Sequence, residues 1–227
     1  MMTQEQPPND ASREEPAPPH FDEKFRGRLT ELFRWRRDVR RFRGDPVAKD
    51  VVEDLVAHAI LAPSVGHSQP WRFIAVEDQT LRQAVVADFN RCNDEALAGY
   101  VGEQAALYAR LKLSGLREAP VHLAVFCDME TEVGHGVGRR TMPETLAYSV
   151  VGAIQNLALA ARARGLGVGW VSILDPAHIK SLLQVPAAWR LIAYLCIGVP
   201  EEEHLDPELE RFGWQARLPF AGILSWR

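Results

Sequence analysis

Gly165-Leu166-Gly167-Val168-Gly169-Trp170-Val171-Ser172-Ile173-Leu174-Asp175-Pro176 is the stretch that decides which arrangement of helices and strands the chain can adopt. Its alternate glycines suggest a phosphate-cradling loop. A dinucleotide fingerprint, however, needs Gly-x-Gly-x-x-Gly after a strand and opening a helix. Here the order is reversed. Gly165 closes a helix, as glycine often does. The chain then enters a strand over 168–173, and Asp175-Pro176 starts a short helix reaching about 183. The spacing therefore argues against a nicotinamide-binding βαβ unit.

Working outward, the helix before Gly165 runs back to a Thr141-Met142-Pro143-Glu144 capping-box pattern. It is apolar on most sides (Leu146, Val150, Val151, Ile154, Leu157, Leu159), the composition of a central buried helix. Before it come a polar loop over 128–140 and a nearly continuous apolar strand over 121–127. Helices are predicted over 22–35, from Asp45-Pro46 to Pro63, over 80–98 and over 103–116. Strands are predicted over 71–76 and 191–199. Strands and helices mix without regular alternation, which predicts an α+β fold with one sheet and helices around it.

The chain has 227 residues, 47% of them hydrophobic, enough for one globular domain with a tail. Residues 1–20 carry Pro7, Pro8, Pro16, Pro18 and Pro19 among polar residues and read as a flexible tail; 21–227 form the domain. No apolar run is long enough to span a membrane, and the polar N-terminus lacks a secretory pattern. Cys92, Cys127 and Cys196 are far apart with no Cys-x-x-Cys pair, which predicts free thiols and a cytoplasmic location. None of the seven histidines pairs with another His or Cys at ligand spacing, so no metal is expected. No Walker or Gly-x-Ser-x-Gly pattern occurs. The net charge of −4 gives no nucleic-acid signature.

That charge hides an asymmetry. Lys24 to Arg43 holds nine Lys or Arg residues against Glu31 and Asp38. Such a run is either a solvated face or a phosphate grip, for which the planar guanidinium fork is suited. Its core is Arg36-Arg37-Asp38-Val39-Arg40-Arg41-Phe42-Arg43. Two further segments stand out: Ala62-Pro63-Ser64-Val65-Gly66-His67-Ser68-Gln69-Pro70-Trp71, a tight loop between helix and strand, and Gly213-Trp214-Gln215-Ala216-Arg217-Leu218-Pro219.

Together these segments resemble the nitroreductase-like flavoproteins, in order and spacing, over nearly the whole chain beyond the tail. Family members typically carry Ser where this chain has Asp38, and Asn where it has His67. The resemblance implies an α+β homodimer with a central, mostly antiparallel sheet and FMN at the interface. It implies an FMN site made of Arg36, Arg37, Asp38, Val39, Arg40, Gln215 and Arg217 at the phosphate and ribityl chain. Pro63, Ser64 and His67 would come from the partner chain, and Ser172 and Leu174 would lie by the ring edge carrying N5.

Residues 138–149 and 167–176 fit one branch of the family. In that branch reduced FMN is itself the substrate, and O2 breaks it into 5,6-dimethylbenzimidazole and erythrose 4-phosphate. No metal takes part, and a separate NAD(P)H-dependent flavin reductase is implied as the source of reduced FMN. Asp38 would be the acid or base and Ser172 a hydrogen-bonding group at N5. The competing readings are salt-bridge organisation of the arginines for Asp38 and a backbone-bonded strand end for Ser172. Residues 93–116, which contain Gly99, Tyr100 and Gly102, are the candidate lid. An NAD(P)H-dependent nitroreductase or quinone reductase is the main alternative, and a flavin carrier is a non-catalytic one.

Overall fold

The computed structural model describes residues 17–227, so Pro7, Pro8 and Pro16 of the expected tail lie outside the described residues. Residues 17–20 are exposed and have no regular structure. The helices are α1 (Glu23–Trp35), α2 (Lys49–Ala59), α3 (Gln79–Ala98), α4 (Gly102–Tyr108), α5 (Thr145–Ala163), α6 (Pro176–Leu182) and α7 (Glu208–Arg211). The strands are β1 (Trp71–Ala75), β2 (Val121–Asp128), β3 (Gly167–Val171) and β4 (Trp189–Gly198). They form one sheet in the order β1-β2-β4-β3, with all three pairings antiparallel.

The apolar run of β2 is continuous because both faces of the sheet are covered. Side chains alternate across a strand. Leu123, Val125 and Cys127 enter one core with Ala193, Leu195 and Ile197 of β4 and the inner side of α5. Ala124 and Phe126 enter a second core with Tyr194, Cys196, Val85, Phe89 and Ile179. Helices α2 and α5 thus cover one face, and α3 and α6 the other.

Several boundaries differ from expectation. Helix α2 starts at Lys49 rather than at Asp45-Pro46. Asp45 gives its carboxylate to Arg43 at 2.7 Å, and Val47 turns toward the core. The predicted helix 103–116 stops at Tyr108, because Leu113 and Leu116 are drawn into the second core and the Lys112 carbonyl accepts from Arg40 at 3.2 Å. No capping box forms at 141–144: Glu144 itself sits at the N-cap in helical conformation, and Thr141 Oγ1 reaches back to the Gly138 carbonyl at 3.5 Å. Strand β3 ends at Val171, two residues early, and α7 was not foreseen. By contrast, Gly165 closes α5 with φ +74°, and the carboxylates of Asp22, Asp78 and Asp175 cap α1, α3 and α6.

Helix α5 is not buried all round in the single chain. Tyr148 is 58% exposed and Val151 42% exposed. Ile60, Leu61, Val133, Val137 and Met142 are also exposed.

A buried polar pair lies under the second core. His122 is 1% exposed, and its Nδ1 is 3.1 Å from the Tyr194 hydroxyl. Burial, and secondarily the Arg82 guanidinium, pushes the imidazole down to about 4 from its ordinary 6.5. Between those values the unfolded chain binds a proton that the folded chain refuses. This stability is therefore complete above pH 6.5 and is lost as pH falls toward 4. The loss is on the order of 3 kcal/mol. Urea unfolding at pH 7 and pH 4.5 should show a larger fall for the native protein than for His122→Asn. Equal falls would remove His122 from the acid response.

Candidate functional site

The arginine strip follows α1 and lies against the outer edge of β3. The Val39 N–H donates to the Val168 carbonyl at 3.0 Å, and a parallel bridge joins Asp38 to Val168. Further on, the Arg43 N–H donates to the Val199 carbonyl at 2.9 Å. This approach explains the alternate glycines. A Cβ on Gly169 would sit 2.1 Å from the Val39 carbonyl oxygen. Gly169 therefore admits a neighbouring backbone, and Gly167 admits the side chains of Val39 and Pro200.

The strip forms a cleft of about 310 Å³ with the C-terminal segment. It is lined by Arg36, Arg37, Asp38 and Arg40 on one side, and by Pro207, Glu208, Leu209 and Arg217 on the other. The two carboxylates at the cleft are already engaged. Glu208 pairs with Arg41. Asp38 Oδ1 accepts the Trp170 N–H at 2.7 Å, and its Oδ2 accepts from Arg40 Nε at 2.9 Å. Arg36, Arg37 and Arg217 make no ion pair with any described residue. Arg37 Nε is buried without a hydrogen-bond partner. Its proton affinity is lowered, first by burial and then by Arg36 and Arg217. Crowded like charges with an orphaned buried donor suit a dianion with several acceptor oxygens, so the residues present fit a phosphate.

The other expected residues take three positions. Ser172 is exposed just past the end of β3. The loop that carries it is pinned at its far side, where the Asp175 N–H donates to Asp88 Oδ2 at 2.8 Å. The Asp88 side chain is only 1% exposed, and its other oxygen accepts from Arg91 at 2.7 Å. The Leu174 side chain is turned into the second core. Gln215 is exposed, and its side-chain amide donates to the Ala216 carbonyl at 3.1 Å.

Pro63, Ser64 and His67 are not brought to the cleft. Trp71, which ends their loop, pairs with Cys127, whereas Val168 is level through β4 with Val121. The two points are three inter-strand steps apart, about 14 Å, and six residues apart along the strands, about 20 Å. They occupy diagonal corners of the sheet. The loop itself is tense. His67 and Gln69 have φ of +53° and +45°, and between them Ser68 is buried with its Oγ unpartnered. Left-handed non-glycine residues cost about 1 kcal/mol or more each. The Ser64 carbonyl accepts the His67 N–H at 2.9 Å, and its hydroxyl accepts the Gln69 N–H at 3.0 Å. The Val65 N–H donates to Ser149 Oγ on α5 at 3.1 Å. Strain held in this way is common at ligand clamps.

Three contributors escaped sequence reasoning: Pro207, Glu208 and Leu209. Arg41 and Glu208 are 167 residues apart in the chain, and no local pattern announces their meeting. Among the described residues, no group of three or more His, Cys, Asp or Glu side chains could hold a metal ion, and no helix is long and apolar enough to cross a membrane.

Residues 33–199 match the pattern of the nitroreductase family. The chain is 61% identical over 201 residues to the 5,6-dimethylbenzimidazole synthase of Rhodospirillum rubrum, covering 88% of this chain and 95% of that one. It is 50% identical over 200 residues to a protein of the same name from Rhodobacter capsulatus, covering 88% and 97%. Among solved structures, iodotyrosine deiodinase bound to FMN and 3-iodo-L-tyrosine superposes with a TM-score of 0.66 at 27% identity, covering 78% and 91%. A BluB-like flavoprotein from Clostridium difficile 630 shares the fold with a TM-score of 0.66 at 20% identity, covering 88% and 98%.

Proposed function

The chain belongs to the nitroreductase family, and on that premise we propose that it is a 5,6-dimethylbenzimidazole synthase. It consumes reduced FMN and O2 and yields 5,6-dimethylbenzimidazole, the lower ligand of vitamin B12, together with erythrose 4-phosphate. The high identity to the two synthases supports the reaction. The observation that carries the substrate grip is the cleft where Arg36, Arg37, Arg40 and Arg217 converge around an unpartnered guanidinium nitrogen.

In this reading the four arginines hold the phosphate, with Gln215 and the Val39 backbone along the ribityl chain. Reduced FMN supplies the electrons and the carbon skeleton. Asp38 stands where the ribityl chain leaves the phosphate and moves a proton there. Its two hydrogen bonds, to the β3 edge and to Arg40, fix its orientation. Ser172 presents a hydroxyl that both donates and accepts at the N5 edge, and Leu174 contributes its backbone. Within the candidate lid 93–116, residues up to 98 belong to α3 and Leu113 and Leu116 are packed in the second core, so the part that closes over the ring and excludes water is 99–112.

Pro63, Ser64 and His67 complete the site from a second copy of the chain. The diagonal separation within one chain supports this, as do the exposed apolar side chains around their loop. Clustered exposed apolar side chains are a mark of interaction sites. The protein works in the cytoplasm with a separate NAD(P)H-dependent flavin reductase that supplies reduced FMN.

The test is to mix the protein with chemically reduced FMN and then admit air. Permanent loss of flavin absorbance with appearance of the benzimidazole is expected. Clean recovery of oxidised FMN would instead point to an NAD(P)H-dependent nitroreductase or quinone reductase, or to a flavin carrier.

A further inference from the structure

The segment 99–112 and the phosphate cleft are fastened together by aromatic side chains that the reaction itself does not use. Helix α3 breaks at Gly99, and Tyr100 precedes α4. The Tyr100 and Tyr108 rings are 4.8 Å apart. Both meet the Trp214 indole edge-on, at 5.5 and 5.9 Å between centroids. Tyr108 is buried and its hydroxyl donates to Asn93 Oδ1 at 2.9 Å, so the ring is fixed to α3.

Trp214 belongs to the other side of the cleft. Its backbone N–H donates to the Leu209 carbonyl at 2.8 Å, and both Leu209 and Arg217 line the cleft. The far end of the segment is tied to the strip, where Arg40 donates to the Lys112 carbonyl at 3.2 Å. One end of the segment is therefore held by Arg40, which lines the cleft, and the other meets Trp214, which is bonded to the cleft residue Leu209.

We propose that Trp214 is a positioning residue that couples capture of the phosphate to closure of 99–112. The proposal rests on the reading that the cleft takes the flavin's phosphate. Arg217 is exposed and lies three residues after Trp214; its backbone N–H reaches Glu210 Oε1 at only 3.5 Å. A phosphate that draws Arg217 inward orders 213–217, and the indole then presents a fixed edge to the two tyrosines. Coupling of this kind is reciprocal: the closed segment tightens the phosphate by the factor with which the phosphate favours closure. Two edge-on ring contacts give a factor of about ten.

Riboflavin and FMN differ only in the phosphate, which makes them the probes. In the full-length protein, FMN should slow amide exchange across 99–112 about tenfold more than riboflavin does. Trp214→Ala should abolish that difference and weaken FMN, but not riboflavin, by about tenfold. Trp214→Phe, which keeps an edge-on ring, should restore most of both effects. A merely structural tryptophan would not separate the two ligands. If Trp214→Ala leaves the FMN–riboflavin difference intact, the coupling is overturned. Should that variant fail to fold, Tyr100→Leu removes one of the two contacts from the other side and should shrink both effects by about threefold, while an unchanged FMN–riboflavin difference again overturns the coupling.

Arg217→Ala separates this proposal from the one beneath it. If Arg217→Ala weakens FMN but Trp214→Ala leaves exchange unchanged, only the coupling fails. If Arg217→Ala and added inorganic phosphate both leave FMN affinity unchanged, the phosphate grip itself fails.

Discussion

Asp38→Asn protein, given reduced FMN and then air, is expected to return the flavin as intact oxidised FMN. Benzimidazole formation should fall at least a hundredfold, within the range for loss of a positioned acid or base, about 10²- to 10⁴-fold. Affinity for the flavin should change by only a few-fold. An asparagine oxygen can still accept the Trp170 N–H in place of Asp38 Oδ1. Its amide then faces Arg40 Nε with a second donor, which releases one contact of Arg40. The bond from Arg40 to the Lys112 carbonyl keeps that guanidinium at the cleft. The two roles of Asp38 are separable because they act on different constants. If saturating flavin restores the rate, Asp38 serves only to organise Arg40. If the rate stays low with the flavin bound, Asp38 handles the proton.

The second large effect comes from a residue without a side chain. Gly169→Ala places a methyl group 2.1 Å from the Val39 carbonyl oxygen. The obstacle is backbone on both sides, so no rotamer relieves it. The strip must leave β3, which breaks the Asp38–Trp170 hydrogen bond at 2.7 Å and strains the Val39–Val168 bond at 3.0 Å. Overpacking of this kind costs about 3 kcal/mol. In a domain of this size that lowers the melting temperature by roughly 6–12 °C. Flavin affinity should fall more steeply, about a hundredfold or more, because several charge-assisted bonds lose their common support, at about 1.5–3 kcal/mol each. Gly44→Ala, where a Cβ meets nothing within 4 Å, is the control and should leave both quantities unchanged. Native melting and binding in Gly169→Ala would show that the strip is free to move away from β3.

The same glycines illustrate how much of the molecule can be read from its sequence. The reversal of order at Gly165 argues against a dinucleotide-binding βαβ unit without any structure. The purpose of Gly169 emerges only when residue 39 is found lying across it, because close approach depends on topology. Strand β2 and helix α5 are legible because their periodicity reflects burial on two faces and on one broad side. The end of α4 is not, because the pull on Lys112 comes from Arg40, 72 residues away. The arginine half of the site is written in one continuous strip. Its opposite wall, 207–209, carries no motif and is recruited by Arg41 and Glu208 across the chain. Val151 passes for core in the sequence although it is exposed, since exposed and covered apolar surface have the same composition.

The diagonal placement of the two loop systems also bears on how supply governs output. If each complete site borrows Pro63, Ser64 and His67 from another copy, a lone chain has only half a binding surface for the isoalloxazine. A ligand that binds the assembled form and not its parts draws the parts together by mass action. Reduced flavin then acts as an adhesive as well as a substrate. At low chain concentration the number of working centres rises with the square of the amount of protein and is lifted further by the flavin pool. Destruction of the flavin removes the adhesive at each turnover.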